Sequence, residues 1–295
     1  MIWLSCIVTA AALLVAMLVC WRVREQKAES NAWRELAGTQ YDAGETFQPA
    51  MVADLPEPAR RYFNFTIQPG TKLVQAVEID MTGELSLGTA EAPAYRPMSA
   101  REILCPPCGF IWSLRCGAIS GTEGILHGAS WTRFWLLRLL PVARAGGPDH
   151  LRSAFGRLVA ESAFWAPASL LPGAGVTWEA LSANSARVTL TAGPLMAGPL
   201  MAGPLTAGPL MAGPLQQSVE IHVDAQGAPE RVIFQRWSNA NRDQAYRLQP
   251  FGGELSGFQQ FDGYRLPTRV VAGNHYGTPD YFPFFKVTVT DVRFP

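Results

Sequence analysis

From Ile2 to Trp21 the chain carries no charged residue, and the first charge is Arg22. At about 1.5 Å of rise per residue, a helix of that length crosses a hydrocarbon core of roughly 30 Å. A cleaved signal peptide competes with this reading. However, no lysine or arginine precedes the apolar run and no small-x-small cleavage site comes after it. The expectation is an uncleaved single-pass anchor over residues 1–24, with the lipid bilayer as the partner of Ile2 to Trp21. Val19, before Cys20, stands where a lipid-attachment signal has Gly, Ala or Ser, so lipidation is rejected. Arg22, Arg24 and Lys27 come directly after the span, and the positive-inside rule then puts the body in the cytoplasm of a cell-membrane protein.

The body has the composition of a folded domain, since 48% of the chain is apolar. Lysine plus arginine equals aspartate plus glutamate, 24 against 24, so no basic field exists to attract nucleic acid. The low charge content points to an apolar patch on the surface or an apolar cavity. Residues 25–50 are polar and mixed in charge and read as a stalk, able to continue as helix up to the turn residues around Gly44. Residues 51–295 form the body.

Period-two alternation dominates that body. Val77, Ile79 and Met81 share one face, as do Phe110, Trp112 and Leu114, then Val176, Trp178 and Ala180, then Ala186, Val188 and Leu190. Val219, Ile221 and Val223 oppose Glu220, His222 and Asp224. Gln226-Gly227 and Asp262-Gly263 turn the chain between further strands, and Phe285, Val287 and Val289 line the last one. Consecutive hairpins of this kind make an antiparallel meander. A helix is expected where Leu151, Phe155, Leu158, Val159 and Ser162 fall on one face, capped by Asp149 and ended by Pro167 and Pro172. The apolar run from Trp131 to Leu140 is read either as a core element or as an interfacial or cavity-lining helix. The helical insertion is accordingly placed near residues 131–165. The fold class is α+β and mostly β: an N-terminal transmembrane helix, then a curved antiparallel sheet, half-barrel-like, with a helical insertion over one face.

A five-residue unit is repeated five times, from Thr191-Ala192-Gly193-Pro194-Leu195 to Met211-Ala212-Gly213-Pro214-Leu215. Proline at every fifth position forbids both regular helix and central strand. Strands flank it on both sides, so the repeat at 191–215 reads as an expanded hairpin loop, a tandem duplication tolerated at a loop tip.

No P-loop, dinucleotide-binding glycine motif or HExxH is present, and Gly117-Ala118-Ile119-Ser120-Gly121 lacks the spacing of a nucleophile elbow. Cys105-Pro106-Pro107-Cys108 has the CxxC spacing, but Phe110-Ile111-Trp112, just after it, reads as a strand rather than a helix. Cys105, Cys108 and Cys116 with His127 match no familiar metal module, so no metal site is assigned. No cofactor is indicated. Glu161, near Trp165, is the best acid–base candidate, although a helix-end carboxylate with hydrogen-bond partners explains it equally simply.

Four signatures recur in order: Asp54-Leu55-Pro56 leading to Arg61-Tyr62-Phe63; Pro107 to Trp112; Leu158 to Glu161 with Trp165-Ala166-Pro167; and Tyr264-Arg265-Leu266-Pro267. Together they resemble an uncharacterised bacterial family of the DUF6544/DUF6920 type, which brings no activity with it. More distantly, Asp224 to Gly227, Pro229, and Gly263 to Pro267 leading to Val289 to Phe294 resemble the LolA-like lipoprotein-carrier architecture. That resemblance implies an acyl-chain pocket and a periplasmic body, against the side given by the basic flank. The resulting expectation is a membrane-anchored protein that binds a lipid or other apolar ligand between sheet and helix, with Phe110, Trp112, Phe155, Trp165, Trp178 and Glu161 as cavity candidates. The alternatives are a tethered structural or protein-interaction module and, third, an enzyme of unknown class.

Overall fold

The computed structural model describes residues 2–39, 44–192 and 215–295. Among these residues thirteen strands form one sheet, antiparallel at every junction. A first meander comprises β1 (Val77–Ser86), β2 (Tyr95–Cys105), β3 (Gly109–Cys116), β4 (Ile119–Leu126), β5 (Ala129–Leu136) and β6 (Leu140–Gly146). A second comprises β7 (Val176–Ser182), β8 (Ser185–Thr191), β9 (Gln216–Val223), β10 (Pro229–Ser238), β11 (Arg247–Phe261), β12 (Tyr264–Asn274) and β13 (Phe282–Arg293). The strand order runs β6 to β1 and then β13 to β7, so the first and last strands meet at the centre, with Ile79 opposite Val292 and Leu85 opposite Phe285.

This order leaves β6 at one edge and β7 at the other. A flat sheet of thirteen strands at about 4.8 Å spacing would be roughly 58 Å wide. The connection is the helix α3 (Pro148–Trp165) of 18 residues and a short stretch to β7, and a helix of that length is only about 27 Å long. Yet α3 touches both β6 and β9, which in a flat sheet lie ten strand spacings, about 48 Å, apart, so the sheet is curled around it. α3 lies in the concavity, touching β4, β5 and β6 near one edge and β9 and β10 near the other. Its buried face carries Phe155, Leu158, Val159 and Trp165. A short helix, α2 (Glu57–Thr66), closes the β7–β9 side, where Tyr62 and Phe63 are fully buried and Tyr62 Oη donates 2.9 Å to the carbonyl of Ala163.

Three expectations are corrected. The run Trp131 to Leu140 is not helical; it supplies most of β5 and the start of β6, and the helical insertion begins only at Pro148. Its near-continuous hydrophobicity has a packing cause, because β5 is covered on both faces and so has apolar residues in both phases of its alternation. Phe134 faces the concavity and Trp135 the outside, where it is fully buried. Asp149 is not the cap of α3. That position is Gly147, and Asp149 lies in the first turn, where its charge suits the helix dipole and its Oδ1 accepts 2.8 Å from Trp237 Nε1.

The third correction concerns the stalk. One unbroken helix, α1 (Ile2–Ala37), runs from the apolar leader through residue 37, and its polar half packs along the convex face of β1 to β6. Trp21 meets Trp135 edge-on at 5.3 Å between ring centroids. Glu25 accepts 3.0 Å from Trp135 Nε1 and 2.6 Å from Arg144, whose guanidinium lies 4.4 Å over the Trp135 ring. Further along, Glu29 accepts 2.7 Å from Thr122 Oγ1, Trp33 Nε1 donates 2.5 Å to Glu78, and Leu36 is buried against Ile103, Cys105 and Ile111. The leader half stands clear of the body, with Trp3, Leu13 and Met17 more than half exposed.

Most of the pentapeptide repeat, residues 193–214, lies outside the described residues. At its ends Thr191 pairs with Gln216, and the Ala192 N–H donates 2.8 Å to the carbonyl of Leu215, so β8 and β9 are antiparallel neighbours.

Docking of α1 rests chiefly on Trp135. Trp135→Ala is expected to cost about 3–5 kcal/mol of unfolding free energy, as for other buried tryptophans, in chemical denaturation of the detergent-solubilised full chain. A loss below about 1 kcal/mol would mean that the Trp135 contacts with Trp21 and Glu25 do not hold α1 on the sheet.

Candidate functional site

Between α3 and the β1–β5 and β10–β13 parts of the sheet, the concave face is not filled. A cavity of about 610 Å³ remains, within the size range of small-molecule sites. Its walls are apolar: Leu85 from β1, Trp112 and Leu114 from β3, Phe134 from β5, Val232 and Phe234 from β10, Phe251 from β11, Val270 and Ala272 from β12, and Phe284 and Phe285 from β13. α3 contributes Ala160 and Phe164. Strand alternation aims Trp112 with Leu114, Val232 with Phe234, and Val270 with Ala272 inward, and Trp112 stands edge-on to both Phe134 and Phe285.

One region of the wall is charged. Arg157 of α3 donates 2.8 Å from Nε to Glu161, 2.9 Å from Nη2 to Glu102 and 3.4 Å from Nη1 to Glu123. Its guanidinium also lies 4.9 Å from the Phe110 and Trp112 ring centroids. Burial opposes the Arg157 charge, but the three carboxylates outweigh it and hold the guanidinium protonated well above its ordinary range. Glu102 is fully buried. Burial, and next the neighbouring Glu161, push its carboxyl well above the usual range despite Arg157. Glu102 Oε2 and Glu161 Oε2 are both buried without a hydrogen-bond donor. A proton on Glu102 directed at Glu161 would give both oxygens a partner, in the same direction as the raised Glu102 carboxyl.

Arg236, on β10, has a different environment. Its Nε donates 3.3 Å to Ser153, its guanidinium lies 5.1 Å from the Phe251 ring, and it has no ion pair among the described residues. Burial lowers its pKa, only partly offset by Glu123. The cavity thus presents a cation without a counter-ion among the described residues, beside the buried, partnerless Nε1–H of Trp112.

Of the six residues singled out in the sequence, Trp112 and Glu161 line this cavity. The others do not. Phe110 lies beneath Arg157, and Phe155 is buried where α3 meets the sheet. Trp165 is buried with its Nε1 donating 3.3 Å to the Pro267 carbonyl, and Trp178 packs on Tyr62 and Phe63 on the filled side. The aromatic residues alone could not separate these places, because core and cavity wall obey the same alternation. Arg157 and Arg236 went unnoticed, although each interrupts a buried phase. Arg236 continues the inward series Val232, Phe234, and that break in an apolar register was the available signal.

The cysteines do not converge. Cys105 and Cys108 flank the β2–β3 turn, while Cys116 lies at the opposite end of β3, paired with Met98 and Ile119. A hydrogen bond from Cys105 lowers the Cys108 thiol to about 7 against the opposing effect of burial. His127 in the β4–β5 turn is paired with Glu35 of α1 at 2.5 Å.

The Glu102 carboxyl sets a pH dependence. A carboxyl raised by folding favours the folded state fully below its unfolded pKa of about 4.3, and that contribution is lost as pH rises through the folded value. The thermal midpoint should therefore fall as pH is raised above about 5, and Glu102→Gln, which keeps a donor toward Glu161, should flatten that slope. Identical slopes for the two proteins in thermal melts across this range would exclude the shared proton.

No curated protein matches this sequence. Among solved structures, a LolA superfamily protein from Nitrosomonas europaea is similar with a TM-score of 0.40 and 10% identity, covering 81% of this chain and 92% of that one. An outer membrane lipoprotein-sorting protein domain, so described, from Vibrio parahaemolyticus gives 0.36 and 12%, over 74% and 85% of the two chains. A DUF1329 family protein from Desulfovibrio piger gives 0.39 and 10%, over 81% and 90%. The model of a family of unknown function, DUF6544, matches residues 45–197 and 210–287, well over half of the sequence, and the protein belongs to that family.

Proposed function

We propose that this protein binds a lipid, or another amphiphile with an apolar chain, in the cavity between the curled sheet and α3, and that the leader half of α1 tethers it to a membrane. The observation that carries the reading is the unfilled part of the concavity. On the β7–β9 side Phe155, Leu158, Trp165 and the α2 residues Tyr62 and Phe63 plug the space, whereas the side lined by Trp112, Phe134, Phe234 and Phe285 stays open. A cavity walled by aromatic and aliphatic side chains favours a chain that gains by leaving water. The polar region gives such a ligand an orientation. Arg236 supplies donors, so an acidic or carbonyl-bearing head of an amphiphile has a partner there while its tail runs along the apolar wall.

Tethering is supported by the leader itself. Trp3–Ala37 contains a stretch long and apolar enough to cross a membrane, and none of that stretch is buried against the body. Side chains such as Leu4, Ile7 and Leu13 face outward on a helix with no protein partner, which is stable in lipid and costly in water.

Chain-length dependence tests the cavity. Each methylene buried contributes about 0.8 kcal/mol, so affinity should rise about fourfold per added methylene until the cavity is full and then level off. Displacement of a fluorescent fatty acid by saturated acyl chains of increasing length, on the detergent-solubilised full chain, measures this. An affinity that does not change with chain length would sink the proposal.

A further inference from the structure

The end of the sheet from which the leader departs is also the end at which the cavity opens. α1 runs along β1 to β5 with its register fixed by contacts: Trp21 on Trp135, Glu29 on Thr122, Trp33 on Glu78, and Glu35 on His127 in the β4–β5 turn. Moving back along α1 from residue 35 to residue 21 leads to the opposite end, formed by the β1–β2 loop, the β3–β4 turn and the β5–β6 turn. Leu137 N–H donates 2.8 Å to the Ala118 carbonyl and binds the last two together. Beyond Trp21 the apolar half of α1 continues past this end without a break in the helix.

The cavity wall reaches this end through Leu87, Ile119 and Val142. Leu87 and Val142 are half exposed, and beside them Leu137 and Leu140 project from the β5–β6 turn at 71% and 47% exposure. Four large aliphatic side chains thus rim the mouth of an apolar cavity next to the end of an apolar helix. Cations surround them, with Arg24 on α1 and Arg138 at the turn both exposed.

The turn itself is chosen against its own backbone preference. Leu137 and Arg138 take φ values of 51° and 61°, and Leu139 N–H closes back on the Leu136 carbonyl at 3.1 Å. Both central residues of such a hairpin are left-handed, a conformation that favours Asn-Gly and is strained for other side chains. The β4–β5 turn uses His127-Gly128 and the β11–β12 turn Asp262-Gly263, each with glycine second. Only here, among these three turns, do two long side chains hold the left-handed positions, so a leucine and an arginine are kept at the tip at a cost the turn does not require.

Resting on the reading that the leader spans a bilayer, we propose that the β5–β6 tip docks on that same bilayer. Leu137 and Leu140 insert among the acyl chains, Arg138 lies at the headgroup level, and the cavity mouth opens directly onto the membrane surface. The ligand then enters from the lipid phase without crossing water. The occupant fits the chemistry of the rim, since aliphatic side chains seek the headgroup–acyl boundary while an exposed arginine beside them pairs with anionic headgroups. The unbroken helix between span and body holds the tip at that depth.

An environment-sensitive fluorescent amino acid, inserted by stop-codon suppression at position 14, 137 or 34 of the full chain, tests this. The protein is reconstituted in vesicles of phosphatidylcholine and phosphatidylglycerol with brominated acyl chains. Position 137 is highly exposed and tolerates replacement, and position 34 lies on α1 about 20 Å beyond Trp21. Bromination should cut emission at least about twofold at 14 and 137 and leave 34 unchanged. Quenching at 14 without quenching at 137 overturns the docked tip and leaves the anchor intact. Absence of quenching at 14 removes the anchor and the docked tip together. Equal quenching at 34 and 137 overturns the tip-first orientation, because the whole body would then lie on the membrane.

Discussion

A helix of 18 residues has to carry the chain from one edge of the sheet to the other. The same helix touches β6 and β9, and only a curled sheet brings those two strands within one helix's reach. Curvature creates the concavity, and the helix lies within it. The cavity is the part of the concavity that α3 does not fill: the helix packs closely on β9 and β10, where Gly156 lets it approach Gln217 and Phe234, and stands away from β1 and β13. The meeting of β1 with β13 at the sheet centre makes the two meanders one surface, so the cavity wall draws on both ends of the sequence.

Arg157 has the central electrostatic place in this arrangement. It is bonded to carboxylates on β2, on β4 and on its own helix, so it ties α3 to the first meander across the concavity. Three acids around one base leave an excess of carboxylate in a buried setting, and burial together with the neighbouring Glu161 raises the Glu102 carboxyl there. The nearby Arg236 has no such partners. The cavity therefore combines one internally compensated cation with one cation that has no counter-ion among the described residues and a single hydrogen bond, to Ser153.

Much of the strand content was legible. The alternations of Val77 to Met81, Phe110 to Leu114 and Val219 to Val223 are strands with the expected residues buried, and Asp262-Gly263 turns β11 into β12. β5 was hidden for a physical reason. A strand covered by helices on both faces loses the alternation that marks a half-buried one, and Trp131, Phe134 and Trp135 then read as a continuous apolar block. The stalk was misread for a related reason. The polar residues Glu25, Glu29 and Trp33 resemble a solvated helix, yet their polar atoms bond to Arg144, Trp135, Thr122 and Glu78 on the sheet.

By itself the sequence determined the elements whose evidence is local: an apolar helix long enough to cross a bilayer, a succession of hairpins written in period-two patterns, and one amphipathic helix between them. Local patterns depend on which residues leave water, and that choice is made strand by strand. The tertiary structure alone decided which inward-facing residues fill the core and which border empty space, because alternation sends Phe155 and Phe134 inward with equal force. It also decided where the polar half of the long helix lies and which arginine is left without a counter-ion among the described residues. Those outcomes depend on pairings between residues far apart in the chain, Glu102 with Arg157 and Glu25 with Arg144, which no window of sequence contains.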